Sequence, residues 1–476
     1  MHPEKPTEYA SYKRLICCAD GTWLASDIGT RTVPSNVAKL ARAISTEGID
    51  EAGHIVPQIV QYQSGLGSGA LPFQKTIAGS IGLGLDTDIC QMYDFLANNY
   101  RDGDELFFFG FSRGAYTVRS VAGLVGDVGI LPAVQMRYFP DMWNAYRQRR
   151  KGKLFKDNQW YMDHKHKLKL RDVRIKVIGV WETVGALGVP QWPAVKFLAN
   201  RGFDINESHA FHNTAMPPKL DFAFQALALD EKRLTFPPSV WRNAQQEGSL
   251  PVLRQCWFPG VHADTGGQSV TESSISDHEE LGYHSLAWMI DNVSGMLTFT
   301  DSAILELVHN HERALNNVND RRNIHNGWGC GPVDNFSGIE GLVFRVFGAS
   351  VRTPAQYEGR TEEYIHPLAR IREQKLQHIA AWQPPSLKHF EVREPDGKGQ
   401  GWRWAKDELT VLPEWIMDNR KMSVRLGENG SATFGWKKTG LSRLLCPDDV
   451  LRELDDGNKH VHRDEVNEVR KEQLTA

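Results

Sequence analysis

The chain has 476 residues, 41% hydrophobic and 24% charged, with a formal net charge of −3 at pH 7. That length suits one large α/β domain with insertions or two to three average domains, and the missing basic surplus argues against nucleic-acid binding. No run of about 18 apolar residues occurs and the N-terminal stretch lacks a signal peptide's apolar core, so neither a membrane span nor a secretory route is expected.

Six cysteines are few for this length. Cys17, Cys18 and Cys256 fall in apparent core strands, which fits reduced, buried thiols in a cytoplasmic protein.

In chain order, Arg14 to Ala19 reads as a short central strand that breaks into Asp20-Gly21-Thr22-Trp23. Such a break sets backbone amides and a carboxylate at a strand's C-terminal end, where open α/β sheets bind ligands. A helix follows from Ser35 to Ile44, with Ser35 or Asn36 as its N-cap. Ile55 to Tyr62 alternates like a strand and runs into a glycine-rich loop, Ser64 to Gly69. That loop lacks the G-K-[ST] of a phosphate loop, with Lys75 badly placed, and reads as a flexible connection. Asp88 to Tyr100 is a helix with Ile89, Met92, Tyr93, Leu96 and Tyr100 on one stripe.

The stretch from Asp104 to Gly126 carries the strongest signal. Large apolar residues from Leu106 to Phe109 lead into Gly110-Phe111-Ser112-Arg113-Gly114. A helical pattern follows, with Ala115, Val118, Ala122 and Val125 on one face. Strand, G-x-S-x-G and helix are the parts of a nucleophile elbow, in which flanking glycines relieve crowding and the serine hydroxyl stands above the sheet. The plainer alternative is a serine capping an ordinary strand-to-helix turn.

Residues 131–170 interrupt the strand-helix rhythm with a helical insertion or lid rich in Arg, Lys, Tyr and Trp. Its basic cluster, Arg147 to Lys153, reads as a solvated helix face, with transient contact to a membrane surface or anionic substrate as the alternative. The sheet resumes at Val173 to Val180 and ends at Trp181-Glu182-Thr183. Leu220 to Leu229 fits helix or strand equally and closes in Asp230-Glu231. Val252 to Phe258 is β-like and leads into Pro259-Gly260-Val261-His262-Ala263-Asp264-Thr265-Gly266-Gly267. A helix follows from about Leu281 to Ile290. The expectation is an α/β fold built on a doubly wound, mostly parallel sheet with helical insertions and an irregular C-terminal part. Its catalytic domain would span 14–300, followed by an extension packed on it (301–447) and a charged tail, a frayed helix or disordered, from 448 to 476.

An elbow serine needs a base and a third group that holds the base. His262, on a glycine loop at a strand end, is the best base; His209, His212, His278 and His284 sit in polar or helical contexts. For the acid, both candidates lie between Ser112 and His262: Glu182 ends a core strand, and Asp230 ends an element that could be helix or strand. Glu182 is favoured, because a carboxylate ending a buried strand needs a partner. The oxyanion hole would use the N–H of Arg113 and an amide of Gly21 or Thr22. Asp20 would shape its loop, and Asp264 would orient the histidine loop or bind a cation. The H-x-H pairs at 164/166, 309/311 and 460/462 lack partners at metal spacing, so no metal or other cofactor is expected.

Five segments together resemble one family: ADGTW (19–23), GFSRGAYTVR (110–119), VWETVGALG (180–188), ALDEKR (228–233) and WFPGVHADTGG (257–267). It is the α/β-hydrolase domain family that includes the phospholipase effectors of bacterial type VI secretion and many fungal members. RTPAQYEGRTEEYIHPLARIR (352–372) is similar to the fungal branch. The resemblance implies a Ser-Asp-His triad at Ser112, residue 182 and His262, with Glu182 standing where the family usually has Asp. The loop after His262 reads GGQS where GGGY is more usual. The resulting expectation is a serine hydrolase cleaving a lipid or other carboxylic ester. The alternatives are a catalytically silent hydrolase fold used for binding and a phosphoester hydrolase holding a metal at Asp20 and Asp264.

Overall fold

A computed structural model describes residues 8–21, 33–65, 85–148, 155–184, 215–234, 236–243, 251–268, 276–333, 349–357, 359–379, 381–395, 401–417, 423–426, 432–435 and 440–457. Its centre is an eight-stranded sheet. The strands are β1 (Arg14–Ala19), β2 (Glu47–Ile49), β3 (Ile55–Gln63), β4 (Glu105–Phe111), β5 (Ile175–Trp181), β6 (Leu220–Ala228), β7 (Val252–Phe258) and β8 (Glu363–Ile365). Their spatial order is β2-β3-β1-β4-β5-β6-β7-β8, and only β2 runs antiparallel to its neighbour. The chain winds from β1 outward to β3, then crosses back to β4 on the other side of β1. This reversal opens a crevice beyond the carboxyl ends of β1 and β4, where doubly wound sheets place their ligands.

A parallel sheet covered on both faces needs apolar side chains on both, which explains the near-continuous hydrophobic run of β4. Leu106 and Phe108 face one core with Leu15 and Cys17. That core is filled by α2 (Leu85–Asn99) and α3 (Arg113–Val128). Phe107 and Phe109 face the other core with Ile16 and Cys18. There the cover is α1 (Asn36–Ala43) and, from later in the chain, Glu280–Val293 and Asp301–Arg322. Ser35 caps α1, its Oγ accepting from the Ala38 N–H at 3.1 Å. The ambiguous Leu220 to Leu229 segment is a strand. Between β5 and β7 both its faces are buried, so neither helical nor alternating periodicity marks it.

The insertion after residue 130 forms two helices, α4 (Phe139–Arg147) and α5 (Gln159–Leu168), whose Met142, Trp143, Tyr146 and Leu168 sink into the first core. Arg147 pairs with Asp86 at 3.3 Å; residues 149–154 of the basic cluster lie outside the described residues. Beyond β7 come α6 (His262–Gly266), α7 (Glu280–Val293) and α8 (Asp301–Arg322). The segment past residue 300 returns to the main sheet as β8, paired parallel to β7. It continues as α9 (Leu368–Leu376) and a small antiparallel sheet of β9 (Glu391–Arg393), β10 (Arg403–Ala405) and β11 (Val411–Pro413). Of the two readings of the charged tail, its start takes the helical one: Asp448–Gly457 is a helix, with Val450 and Leu454 packed in one cluster with Leu281, Trp328, Leu368 and Ile371. All six cysteines are free thiols. No helix among the described residues is long and apolar enough to cross a membrane.

Candidate active site

Ser112 is the first residue beyond β4, with φ 56° and ψ −120°, a conformation that costs a non-glycine residue of order 1–3 kcal/mol. Surrounding hydrogen bonds hold it there. Its N–H donates to Trp181 O at 3.1 Å, and its carbonyl accepts from the N–H of Tyr116 and of Val184. The two flanking glycines make the turn feasible. A Cβ on Gly110 would stand 2.6 Å from Ala115 Cα, and one on Gly114 would collide with the Ala19 carbonyl of β1. Arg113 opens α3, so its amide lies at the positive end of the helix dipole, beside the serine. A cavity adjoins the elbow, lined by Asp20, Gln63, Asp88, Arg113 and Thr117. Burial raises the Asp88 carboxyl to about 7 against the opposing pull of Gln63 and Arg113.

His262 opens α6 just past the end of β7, and Glu182 follows β5 directly, with φ 49°. The two strand ends bring the side chains together: His262 Nδ1 lies 3.1 Å from Glu182 Oε2, with both residues buried. The imidazole is held between Phe111 and Phe236, each with its ring centroid 4.8 Å away. Phe111 immediately precedes Ser112, so the base and the elbow share a wall. The His262 N–H donates to Glu231 Oε2 at 3.1 Å, which fixes the loop as well as the ring. Among the described residues Ser112 Oγ makes no hydrogen bond.

The Glu182 carboxylate is the most heavily engaged group of the site. Arg352 grips it with both ends of its guanidinium, Nη1 to Oε1 at 2.7 Å and Nη2 to Oε2 at 2.8 Å. The Ala228 N–H donates to Oε1 at 2.7 Å. The other Nη hydrogens of Arg352 go to the carbonyls of Ala228 and Phe236, while its buried Nε–H has no hydrogen-bond partner among the described residues. Burial alone would raise the Glu182 carboxyl; Arg352 and His262 overcome it and hold the group at about 2. Burial lowers the pKa of His262, with Glu182 opposing. The result is an ionised acid against a neutral imidazole. With Nδ1–H directed at the carboxylate, Nε2 keeps its lone pair.

The other acids are committed elsewhere. Asp230 accepts from the Gly260 N–H at 2.7 Å and from Trp382 Nε1 at 3.0 Å, so it braces the loop before His262 and does not touch the imidazole. Asp264 accepts from the Val261 N–H at 2.8 Å at the start of α6. Asp20 accepts from Ser35 Oγ and Tyr62 OH, each at 2.6 Å. It also accepts from Gly21 N–H at 2.7 Å, so this expected oxyanion donor is turned onto its neighbour. Thr22, His209 and His212 lie outside the described residues. Sequence reading missed Arg352, which sits 170 positions from Glu182. The only signal was its place at the head of the 352–372 stretch.

Residues 13–292, more than half of the chain, match the model of the type VI secretion phospholipase effector Tle1-like catalytic domain. An uncharacterised protein of Saccharomyces cerevisiae is 30% identical over 152 residues, a match that covers 29% of this chain and 21% of the yeast protein. Among solved structures, the Tle1 effector bound to the VgrG spike of the type 6 secretion system is 18% identical. That likeness has a TM-score of 0.30 and covers 55% of this chain and 52% of that one. An uncharacterised protein from Pseudomonas aeruginosa is 13% identical, with a TM-score of 0.31 over 59% of this chain and 45% of the other.

Proposed function

Because the chain belongs to the family of Tle1-like phospholipase effector catalytic domains, we propose that it is a serine hydrolase of carboxylic esters in which Ser112, His262 and Glu182 form the triad. Its substrate class is a lipid or similar acyl ester. His262 Nε2 takes the proton of Ser112 Oγ as the oxygen attacks the ester carbonyl. Glu182 stabilises the imidazolium that forms and keeps the ring in the required tautomer. The Arg113 N–H meets the oxyanion at the helix terminus. His262 then gives its proton to the leaving alkoxide, and a water, deprotonated by the same nitrogen, releases the acyl group.

The observation that carries this reading is the 3.1 Å contact of His262 Nδ1 with Glu182, with the imidazole packed on Phe111, the residue before the positive-φ Ser112. Glutamate in place of aspartate has a longer arm, and here it still meets His262 at 3.1 Å from a backbone φ of 49°, with Arg352 clamping its carboxylate.

The test is turnover measured across short acyl esters, long acyl esters and phospholipid vesicles. The wild-type chain hydrolyses at least one class, while Ser112→Ala and His262→Gln each lose activity with folding intact. One observation favours a second reading, a silent hydrolase fold that binds without cleaving: both Glu182 oxygens are already engaged by Arg352. Absence of turnover in a folded wild-type chain, unrepaired by Glu182→Asp, would select it. The phosphoester reading has lost its support, since Asp20 and Asp264 are each satisfied by local donors.

A further inference from the structure

A second cluster of chemistry-bearing side chains lies outside the proposed active site. Glu280 and His284 stand one turn apart on α7, and His311 reaches them from α8. One ligand atom from each lies within 4.8 Å of the other two, and all three residues are buried. His284 Nε2 is 2.6 Å from Glu280 Oε1, a hydrogen bond. His311 Nε2 is 3.8 Å from the same oxygen, too far for one, and has no hydrogen-bond partner among the described residues. A polar nitrogen buried at 2% exposure and aimed at a carboxylate it does not reach is costly unless something lies between them.

We propose that Glu280, His284 and His311 form a buried structural site for a divalent transition-metal ion of the zinc class. Two imidazoles and one carboxylate are a borderline-soft donor set suited to zinc; calcium and magnesium take oxygen ligands. Two atoms each about 2.1 Å from a tetrahedral ion stand roughly 3.4 Å apart. The His311 contact is therefore a few tenths of an ångström too long, and the His284 contact opens as the ion replaces the shared proton. That proton sits on Nδ1 of His284 when Nε2 binds the ion. A water completes the fourth position.

The outer layer is built as metal ligands require. The amides of Gly329 and Gly331 donate to the two Glu280 oxygens at 2.8 and 3.0 Å. Arg372 Nη1 in turn holds the carbonyls of the same two glycines. The bound ion would lock α7 to α8 and to the 329–331 turn. Because the Gly282 backbone on α7 packs against Gly267 just past α6, the ion stiffens the floor of the His262 loop without touching substrate.

The test uses the full chain, stripped by chelator and titrated with Co(II) and then Zn(II), and reads the metal without reference to hydrolysis. The expected result is about one ion per chain, with the visible absorption of a four-coordinate Co(II) site that Zn(II) displaces. His311→Gln and His284→Gln abolish that absorption; His309→Gln, exposed on the same helix, retains it. Uptake of neither ion by the wild-type chain would overturn the proposal, as would full stoichiometry in a folded His311→Gln. Where the variants do not fold, X-ray absorption on the zinc-loaded wild type decides: two imidazoles in the first shell support the site, and any other first shell overturns it.

Discussion

Arg352→Met is the most informative perturbation of the site, since methionine keeps an unbranched apolar stem and removes the charge. The change deletes two bonds to Glu182 and those to Ala228 O and Phe236 O, leaving a buried carboxylate without its cation. Breaking one side of a buried pair costs about 3–5 kcal/mol. The ionisation of Glu182 gives a second route to the magnitude. Its folded pKa of about 2 lies below the ordinary 4.5, a difference worth roughly 3 kcal/mol. The folded chain therefore binds fewer protons than the unfolded chain in this range, and the contribution is whole above pH 4.5. It is lost as the pH falls toward 2, with roughly 1 kcal/mol gone by pH 3.5. Without Arg352 the depression weakens, so the gap between variant and wild type should be widest at pH 7 and narrow toward pH 3.5. Urea midpoints and slopes at pH 7, 5 and 3.5 measure it. A gap below about 1 kcal/mol at pH 7, or one unchanged with pH, refutes the reasoning. The same variant should lower kcat/KM by about 100-fold, through a misplaced imidazole.

Other outcomes follow from single features of the elbow and the base. Ser112→Gly should abolish hydrolysis while raising stability by about 1 kcal/mol, because glycine accepts the φ of 56° freely; a fall in Tm contradicts a strained elbow. Gly114→Ala should cost about 3 kcal/mol or more, since its Cβ meets the backbone of β1 and not a movable side chain, and loss of the cooperative thermal transition would show it. The acid limb of the kcat/KM profile should have its midpoint below 6.5, the direction in which burial moves His262. A midpoint above 7 contradicts that assignment. Stability should also fall as the pH drops below 6.5, because the unfolded histidine takes up a proton there that the folded one resists.

The parts of the molecule that were legible in the sequence are those written in local patterns. An apolar run, two glycines and a helical stripe located Ser112, while strand ends marked Glu182 and His262. Three features were hidden because long-range contacts decide them: the role of Arg352, the neighbours of His311 and the packing of the Asp448–Gly457 helix. Arg352 reaches the acid from far along the chain, with no pattern around it to mark its role. The His309/His311 pair looked partnerless because Glu280 and His284 belong to another helix. The helix at Asp448–Gly457 carries only a thin apolar stripe in a charged background, and its Val450 and Leu454 gain meaning only against Trp328 and Ile371. Gly21 shows a subtler limit: its place at the strand end was clear, whereas the turning of its amide onto Asp20 is a matter of backbone geometry.

Intact-mass analysis after treatment with a fluorophosphonate tests the central claim most directly, since only an activated serine reacts quickly. The expected result is one adduct per chain, mapped to Ser112, absent in Ser112→Ala and strongly slowed in His262→Gln. A folded wild-type chain that stays unlabelled, or an adduct that persists in Ser112→Ala, would contradict it.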